Sequence, residues 1–235
     1  MNVYHYFRTS LYDAISLVYS HLQLKQYPII FKLTKQQYGD LCTPIARQIA
    51  FNENFSHTEV AKNILHTLKE SPVTGSTPKP AQSNIQNGFI NFRLNRSFLN
   101  FKTVSVCSKK VSHLDNNQYS RIYSEYPELK KAYKQLVSSS EIIEEIEKAD
   151  PGNLIYNEEV FLMREIALAE PQEIISGNGL RYFFTRLCLT FNRFYHTCPL
   201  YTPDIKQTRA RFLLMKAFYN RMIFLWEKGT VFNDF

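Results

Sequence analysis

Apolar side chains recur at helical spacing over residues 180–196. At 100° per residue, one arc of this helix collects the apolar residues Leu180, Phe183, Phe184, Leu187, Phe191, Phe194 and Tyr195, with Cys188 at its edge. The other side carries the polar residues Arg181, Thr185, Arg186, Thr190, Asn192, Arg193 and His196, interrupted only by Tyr182 and Leu189. The pattern predicts a helix that buries its aromatic face and turns an arginine-rich face outward.

Further helical patterns fill the C-terminal half of the chain. They cover residues 119–136, divided at Pro127, and residues 139–148, 158–168 and 207–228. The last of these is apolar almost all round, which is typical of a helix at the centre of a bundle. We therefore predict an all-α bundle over residues 115–235, and a predominantly helical protein overall.

The N-terminal part alternates helix and strand signals. Predicted helices span 11–23, opened by a capping box from Ser10 to Asp13, then 42–50, capped by Asp40, 56–69 and 97–106. Strands are predicted at 29–33 and 90–94, a turn at 38–41 with Gly39 at positive φ, and an extended loop at 71–86. This pattern predicts a small α+β domain over residues 1–105, joined to the bundle by a linker at 106–114.

Composition narrows the classes of function. The chain has only 7 glycines and neither glycine-rich nucleotide-binding motif, so no nucleotide cofactor is expected. Its 4 cysteines show no metal or disulfide spacing. We expect reduced thiols in the cytoplasm or an organelle stroma or matrix, not a secreted protein. No run of about 18 apolar residues predicts a membrane span.

Charge is distributed unevenly. Residues 1–112 carry 13 Lys and Arg against 5 Asp and Glu, and residues 176–235 carry 9 against 3. Residues 113–175 carry 6 against 13, so two basic ends flank an acidic middle. Basic regions attract phosphate backbones, although membranes and acidic proteins attract them too. The arginines around Tyr182 suit RNA, because guanidinium pairs with phosphate and aromatic rings stack on bases, but they also suit a solvated face.

Two groups of residues resemble arginyl-tRNA synthetase. Residues 38–40, Tyr-Gly-Asp, with the following helix and the Gly-Phe-Ile-Asn-Phe-Arg-Leu run at 88–94, resemble its N-terminal additional domain. Residues 190–199, Thr-Phe-Asn-Arg-Phe-Tyr-His-Thr-Cys-Pro, with Ala-Arg-Phe-Leu-Leu at 210–214, resemble its DALR anticodon-binding domain. In the family the first domain meets the tRNA elbow and the second meets the anticodon stem and loop.

The family's catalytic core does not fit between these regions. Leu94 and Gln118 are too close along the chain to contain it, and no HIGH-like tetrapeptide occurs. The resemblance thus implies a non-catalytic tRNA-binding protein whose first candidate ligand is arginine tRNA. Without the catalytic core, the sequence excludes aminoacylation. RNA loops are read by stacking and by hydrogen bonds to base edges, and within the two resembling regions we select the candidate RNA-contact residues by that chemistry. They are Asn91 and Arg93 in the first domain and Arg181, Tyr182, Arg186, Asn192, Arg193 and His196 in the second.

Structural alternatives stay open at several of these positions. Asn91 could be an asparagine satisfied within the sheet, and Asn192 and His196 could pack or cap within the bundle. No metal is expected at His196 and Cys198, because no second pair lies at zinc spacing. The acidic run at 141–150 suits a solvated helix face or a surface for a protein partner. The competing function is therefore a subunit of a protein complex that no longer binds RNA.

Overall fold

A computed structural model describes residues 2–34, 37–70, 81–109, 115–139, 142, 145–170 and 177–230. The chain divides into two compact units, Met1–Phe98 and Leu99–Phe235. The first holds a small antiparallel sheet with helices and the second is helical, which confirms the predicted α+β and all-α fold classes. The predicted domain limits at 105 and 115 stay a prediction beside these units, and 110–114 of the predicted linker lie outside the described residues.

The first unit contains three helices and a four-stranded sheet among its described residues. The helices are α1 (Val3–Val18), α2 (Ile45–Glu53) and α3 (His57–Glu70). The strands are β1 (Lys32–Leu33), β2 (Leu41–Thr43), β3 (Ala81–Gln86) and β4 (Phe89–Leu94), in the spatial order β1-β2-β4-β3. All neighbouring strands are antiparallel.

The first helix begins earlier than its pattern suggested. The Asn2 side chain caps it by accepting hydrogen bonds from the backbone amides of Tyr4 and His5. Ser10 therefore lies inside α1, and the predicted capping box at Ser10–Asp13 is wrong. The added turns bury Val3, Tyr4 and Phe7, and Phe7 stacks on Phe92 of β4 with ring centroids 4.4 Å apart. Burial of this aromatic face explains the longer helix.

Asp40 supports the sheet instead of a helix. Its carboxylate accepts a hydrogen bond from the amide of Leu94 at 2.6 Å, and its own amide donates to the carbonyl of Phe92 at 2.7 Å. Leu41–Thr43 consequently joins β4 as a strand, and helix α2 starts only at Ile45. The predicted helix is present, but its predicted start at residue 42 and its cap by Asp40 are wrong, because residues 42 and 43 pair with β4.

The predicted loop at 71–86 contains a strand. Residues 71–80 lie outside the described residues, but β3 pairs with β4 along its whole length, from Ala81 opposite Leu94 to Gln86 opposite Phe89. Its sequence, Ala-Gln-Ser-Asn-Ile-Gln, lacks the apolar alternation of a strand with one buried face. Backbone pairing at the edge of the sheet stabilises it instead.

The second unit is built from helices. Among its described residues the α-helices are α4 (Arg96–Cys107), which starts at the end of the first unit, α5 (Asn116–Glu125), α6 (Pro127–Ser138), α7 (Asn157–Leu168), α8 (Gly177–Thr197) and α9 (Ile205–Thr230). The predicted break at Pro127 and the predicted central helix are both confirmed, because Pro127 opens α6 and α9 buries most of its side chains. The helix predicted at 139–148 lies partly outside the described residues, and its end, Ile146–Lys148, forms a 3₁₀ turn.

Aromatic packing and buried ion pairs hold the helices of the second unit together. Phe191 of α8 stacks on Phe218 of α9 with ring centroids 4.2 Å apart. Glu159 of α7 and Arg211 of α9 are fully buried and form an ion pair at 2.6 Å. Glu170 accepts from Lys102 of α4 and lies 3.5 Å from Arg221 of α9. The stacked rings hold α8 against α9, and the ion pairs join α4, α7 and the residue Glu170 after α7 to α9.

Candidate nucleic-acid interface

Helix α8 turns a mixed basic and aromatic surface toward solvent. Its exposed side chains are Arg181, Tyr182, Thr185, Leu189, Arg193, His196 and Thr197, while Phe183, Phe184, Leu187, Phe191 and Phe194 are buried. The two residues that interrupt the polar side of the sequence pattern, Tyr182 and Leu189, are 50% and 58% exposed. Aromatic and aliphatic groups therefore stand in water beside arginines, an arrangement that suits stacked bases and phosphates.

Arg186 organises one edge of this surface. Its guanidinium pairs with Glu165 of α7, donates to the Tyr182 hydroxyl at 2.9 Å and lies 5.4 Å from the centroid of the Tyr182 ring. Burial acts to lower the pKa of Arg186, but Glu165 and Tyr182 outweigh it and raise that pKa above its usual value. Arg186 therefore fixes the Tyr182 ring, and Glu165 balances its charge. The exposed arginines of this helix are Arg181 and Arg193.

Asn192 and His196 have different surroundings. The Asn192 amide donates to a carboxylate oxygen of Glu128 in α6 at 2.7 Å, so a helix contact already uses this side chain. His196 is exposed, and its ring meets Tyr195 edge-on with centroids 6.0 Å apart. The structure thus places His196 on the exposed surface and the Asn192 side chain in a hydrogen bond between α8 and α6.

Sequence reasoning missed the contribution of α6. The Lys131 ammonium lies 3.9 Å from the centroid of the Tyr195 ring, and the Gln135 amide donates to the Tyr195 hydroxyl at 3.1 Å. This brings a lysine of α6 to the edge of the α8 surface. The net negative charge of residues 113–175 obscured this basic helix. A charge count over residues 127–138 alone, with 3 lysines and 1 glutamate, would have revealed it.

In the first unit, Asn91 and Arg93 lie on the same face of β4. Their side chains point away from Phe92, because successive residues of a strand face opposite sides. Asn91 is only 4% exposed and donates to Asn84 of β3 at 3.1 Å, whereas Arg93 is exposed and donates to the backbone carbonyl of Gln37 at 3.4 Å. Arg93 is thus the accessible member of the pair. Asn84 and Gln82 of β3 are exposed beside it, and their assignment to a loop kept them out of the predicted site.

The cysteines lie in the interior. All four are buried and unbonded to each other, and burial raises the pKa of the Cys198 thiol to about 11. The raised pKa keeps the Cys198 thiol protonated at neutral pH, so this thiol is a poor nucleophile and a poor metal ligand. Over the described ranges, no group of three or more His, Cys, Asp or Glu side chains is arranged to hold a metal ion. The helices in those ranges are also too short or too polar to cross a membrane.

The similarity to known proteins lies in the first unit. Residues 5–94 match the family model of the arginyl tRNA synthetase N terminal domain. This match includes the Tyr38–Asp40 turn and the whole of β4, on which the resemblance in the sequence rests, so the first unit is an arginyl-tRNA synthetase-like domain. No curated protein and no solved structure matches the chain.

Proposed function

We propose that the chain is a non-catalytic tRNA-binding protein that presents its tRNA to a partner enzyme or to the translation machinery, with arginine tRNA as the first candidate. The observation that carries the proposal is the joining of an arginyl-tRNA synthetase-like domain to a helical unit with a basic, aromatic surface. In that family the N-terminal domain contacts the tRNA and takes no part in the chemical step. The resemblance of residues 190–199 to the DALR domain supports the same kind of ligand for the second unit.

Each exposed residue of α8 then has a role that follows from its chemistry. Arg181 and Arg193 pair with phosphates, and the guanidinium fork suits that geometry better than a lysine would. Tyr182, held by Arg186, offers a ring face on which a base of a single-stranded loop can stack. Stacking is sequence-tolerant, so the preference for a particular tRNA would have to come from further contacts, including those of Arg93 in the first unit.

A filter-binding assay tests this proposal. A tRNA transcript should bind more tightly than an unstructured RNA of equal length. Its affinity should also fall steeply between 50 and 200 mM salt, by roughly tenfold for every two phosphate contacts, because such contacts release counterions. Equal affinity for the two RNAs would remove the specific form of the proposal.

The second candidate is a subunit of a protein complex that has kept the fold without RNA binding. Its support comes from apolar side chains that the described surface leaves in water, notably Phe51 of α2 at 88% exposure and Ile155 at 70%. A protein complex that survives both ribonuclease and high salt would favour this candidate. A chain that purifies alone under those conditions would count against it.

A further inference from the structure

Helix α6 contacts α8 on one side and α9 on another, and these two contacts determine which of its residues are exposed. Toward α8 it presents Glu128, Lys131 and Gln135, which contact Asn192 and Tyr195. Toward α9 it presents Tyr133, whose ring stacks on Tyr219 with centroids 5.8 Å apart. The arc between these anchors faces solvent.

Lysines fill that exposed arc. At 100° per residue, Lys130, Lys134 and Val137 fall between Tyr133 and Lys131, and all three are exposed. We call Lys130, Lys131 and Lys134 the α6 lysine ridge. It runs from the tyrosines beside α9 to the edge of the exposed α8 surface.

The far end of the ridge is a cluster of four tyrosines. Ring centroids are 5.6 Å apart between Tyr119 and Tyr123, and 5.9 Å apart between Tyr123 and Tyr133. The hydroxyls of Tyr123 and Tyr219 lie 3.3 Å apart. Tyr219 is buried and supports the cluster from below, while Tyr133 is 43% exposed and presents its ring to solvent.

The charges around α8 favour an extension toward α6 and not toward α7. On the α7 side, Glu165 balances Arg186. Helix α6 carries 3 lysines and a single carboxylate, Glu128, which accepts from Asn192, and α8 contains no acidic residue. The positive surface therefore continues across α6 and ends at an aromatic group, as in proteins that bind single-stranded nucleic acid.

We propose that the α6 lysine ridge and Tyr133 form a second RNA-contact surface, which continues the track that begins on α8. The ligand is a single-stranded or loop segment of RNA whose phosphates lie along Lys130 and Lys134 and whose base stacks at Tyr133. Axes of packed helices are about 8–10 Å apart, so one short run of nucleotides can touch both α6 and α8. This inference rests on the proposed RNA-binding function and adds residues to it.

Charge reversal on the ridge provides the test. The Lys130→Glu/Lys134→Glu variant should bind a tRNA transcript at least about tenfold more weakly than the unaltered chain, with the slope of log affinity against log salt reduced by about 2. The matched control is Lys62→Glu/Lys69→Glu on α3, which changes net charge by the same amount at exposed positions. Equal losses in the two variants would overturn the inference, because net charge alone would then explain both.

Two further results separate this inference from the function on which it rests. If the unaltered chain binds no RNA, the proposed function fails. If Arg193→Glu weakens binding while the ridge variant binds normally, the function stands and the inference fails. Ultraviolet cross-linking of the unaltered complex, read by mass spectrometry, avoids any folding defect of the variants. Nucleotide adducts on Tyr133 support the inference, and adducts confined to α8 contradict it.

Discussion

Gly39 shows how one residue positions the strand that carries Arg93. Its φ is 140°, a left-handed region that side chains disfavour, and a Cβ built there would lie 2.8 Å from the carbonyl oxygen of Phe92. The next residue, Asp40, then reaches Leu94 with its carboxylate. The turn and β4 are therefore locked together by close backbone approach and by a buried hydrogen bond.

Replacing Gly39 by alanine should destabilise the first unit by about 2 kcal/mol or more, because both the backbone conformation and the contact with Phe92 become strained. Urea unfolding followed by circular dichroism measures this loss. Gly152→Ala is the comparison, since Gly152 has an ordinary φ. A Cβ built there would lie 3.0 Å from the carboxylate oxygen of Asp150, a side chain that can move. Similar losses at the two sites would contradict the account of the turn.

At the scale of elements, sequence pattern predicted what local periodicity controls. The buried and exposed sides of α8 follow from the spacing of residues such as Phe191 and Arg193. The break before α6 follows from Pro127, because proline has no backbone N–H to continue the preceding helix. Strand β3 could not be predicted, because its polar residues pair with β4 through backbone groups that no side-chain pattern records. Local signals also failed at Ser10, where a good capping sequence lies inside a helix that aromatic burial extends.

The same limits apply to the candidate site. The exposure of Tyr182 and Arg193 follows from helical spacing, but partners on other helices do not. No periodicity within α8 shows that Glu128 accepts from Asn192, or that Lys131 lies over Tyr195. Those contacts depend on α6 lying beside α8, which is a property of the packed bundle.

Arg193 gives the element-scale prediction for RNA binding. Arg193→Glu should weaken tRNA binding about tenfold and reduce the salt slope by about 1 or more, because a phosphate contact is replaced by a repulsive charge. The substitution lies at an exposed position and should leave the melting temperature within a few degrees of the parent. Fluorescence anisotropy measures the affinity, with Lys62→Glu as the single-charge control. Unchanged binding would remove Arg193 from the interface.

The buried pair of Glu159 and Arg211 gives a prediction for stability. It joins α7 to α9, and Arg211 also donates to the carbonyl of Pro199, the residue that follows Cys198. Glu159→Ala should cost about 3–5 kcal/mol, because it leaves a buried guanidinium without its counter-ion. Chemical denaturation checks this value. The Glu159→Leu/Arg211→Met double variant should recover part of the loss, and a double variant as unstable as Glu159→Ala would contradict the reasoning.

At the scale of the whole molecule, we propose the same ligand, tRNA, for both units. The first unit is arginyl-tRNA synthetase-like, and the second presents arginines and a tyrosine from one helix. A substitution that removes the RNA contacts of one unit is therefore expected to weaken RNA binding without abolishing it. Arg93→Glu in the first unit and Arg193→Glu in the second should each weaken tRNA binding, and their combined effect should be close to additive because the residues share no partner. Competition binding with the two single variants and the double variant measures these losses of affinity. If only one single variant binds tRNA more weakly, RNA binding is confined to the unit that carries that substitution.

The central claim is that this chain binds tRNA in the cell, and sequencing of the RNA cross-linked to it in native cells tests that claim most directly. The share of tRNA among the cross-linked reads should exceed the share of tRNA in total cellular RNA. Arginine tRNAs should be enriched among these reads, and Arg193→Glu should reduce their recovery. An RNA profile that matches cellular abundance, or that is unchanged by Arg193→Glu, would contradict it.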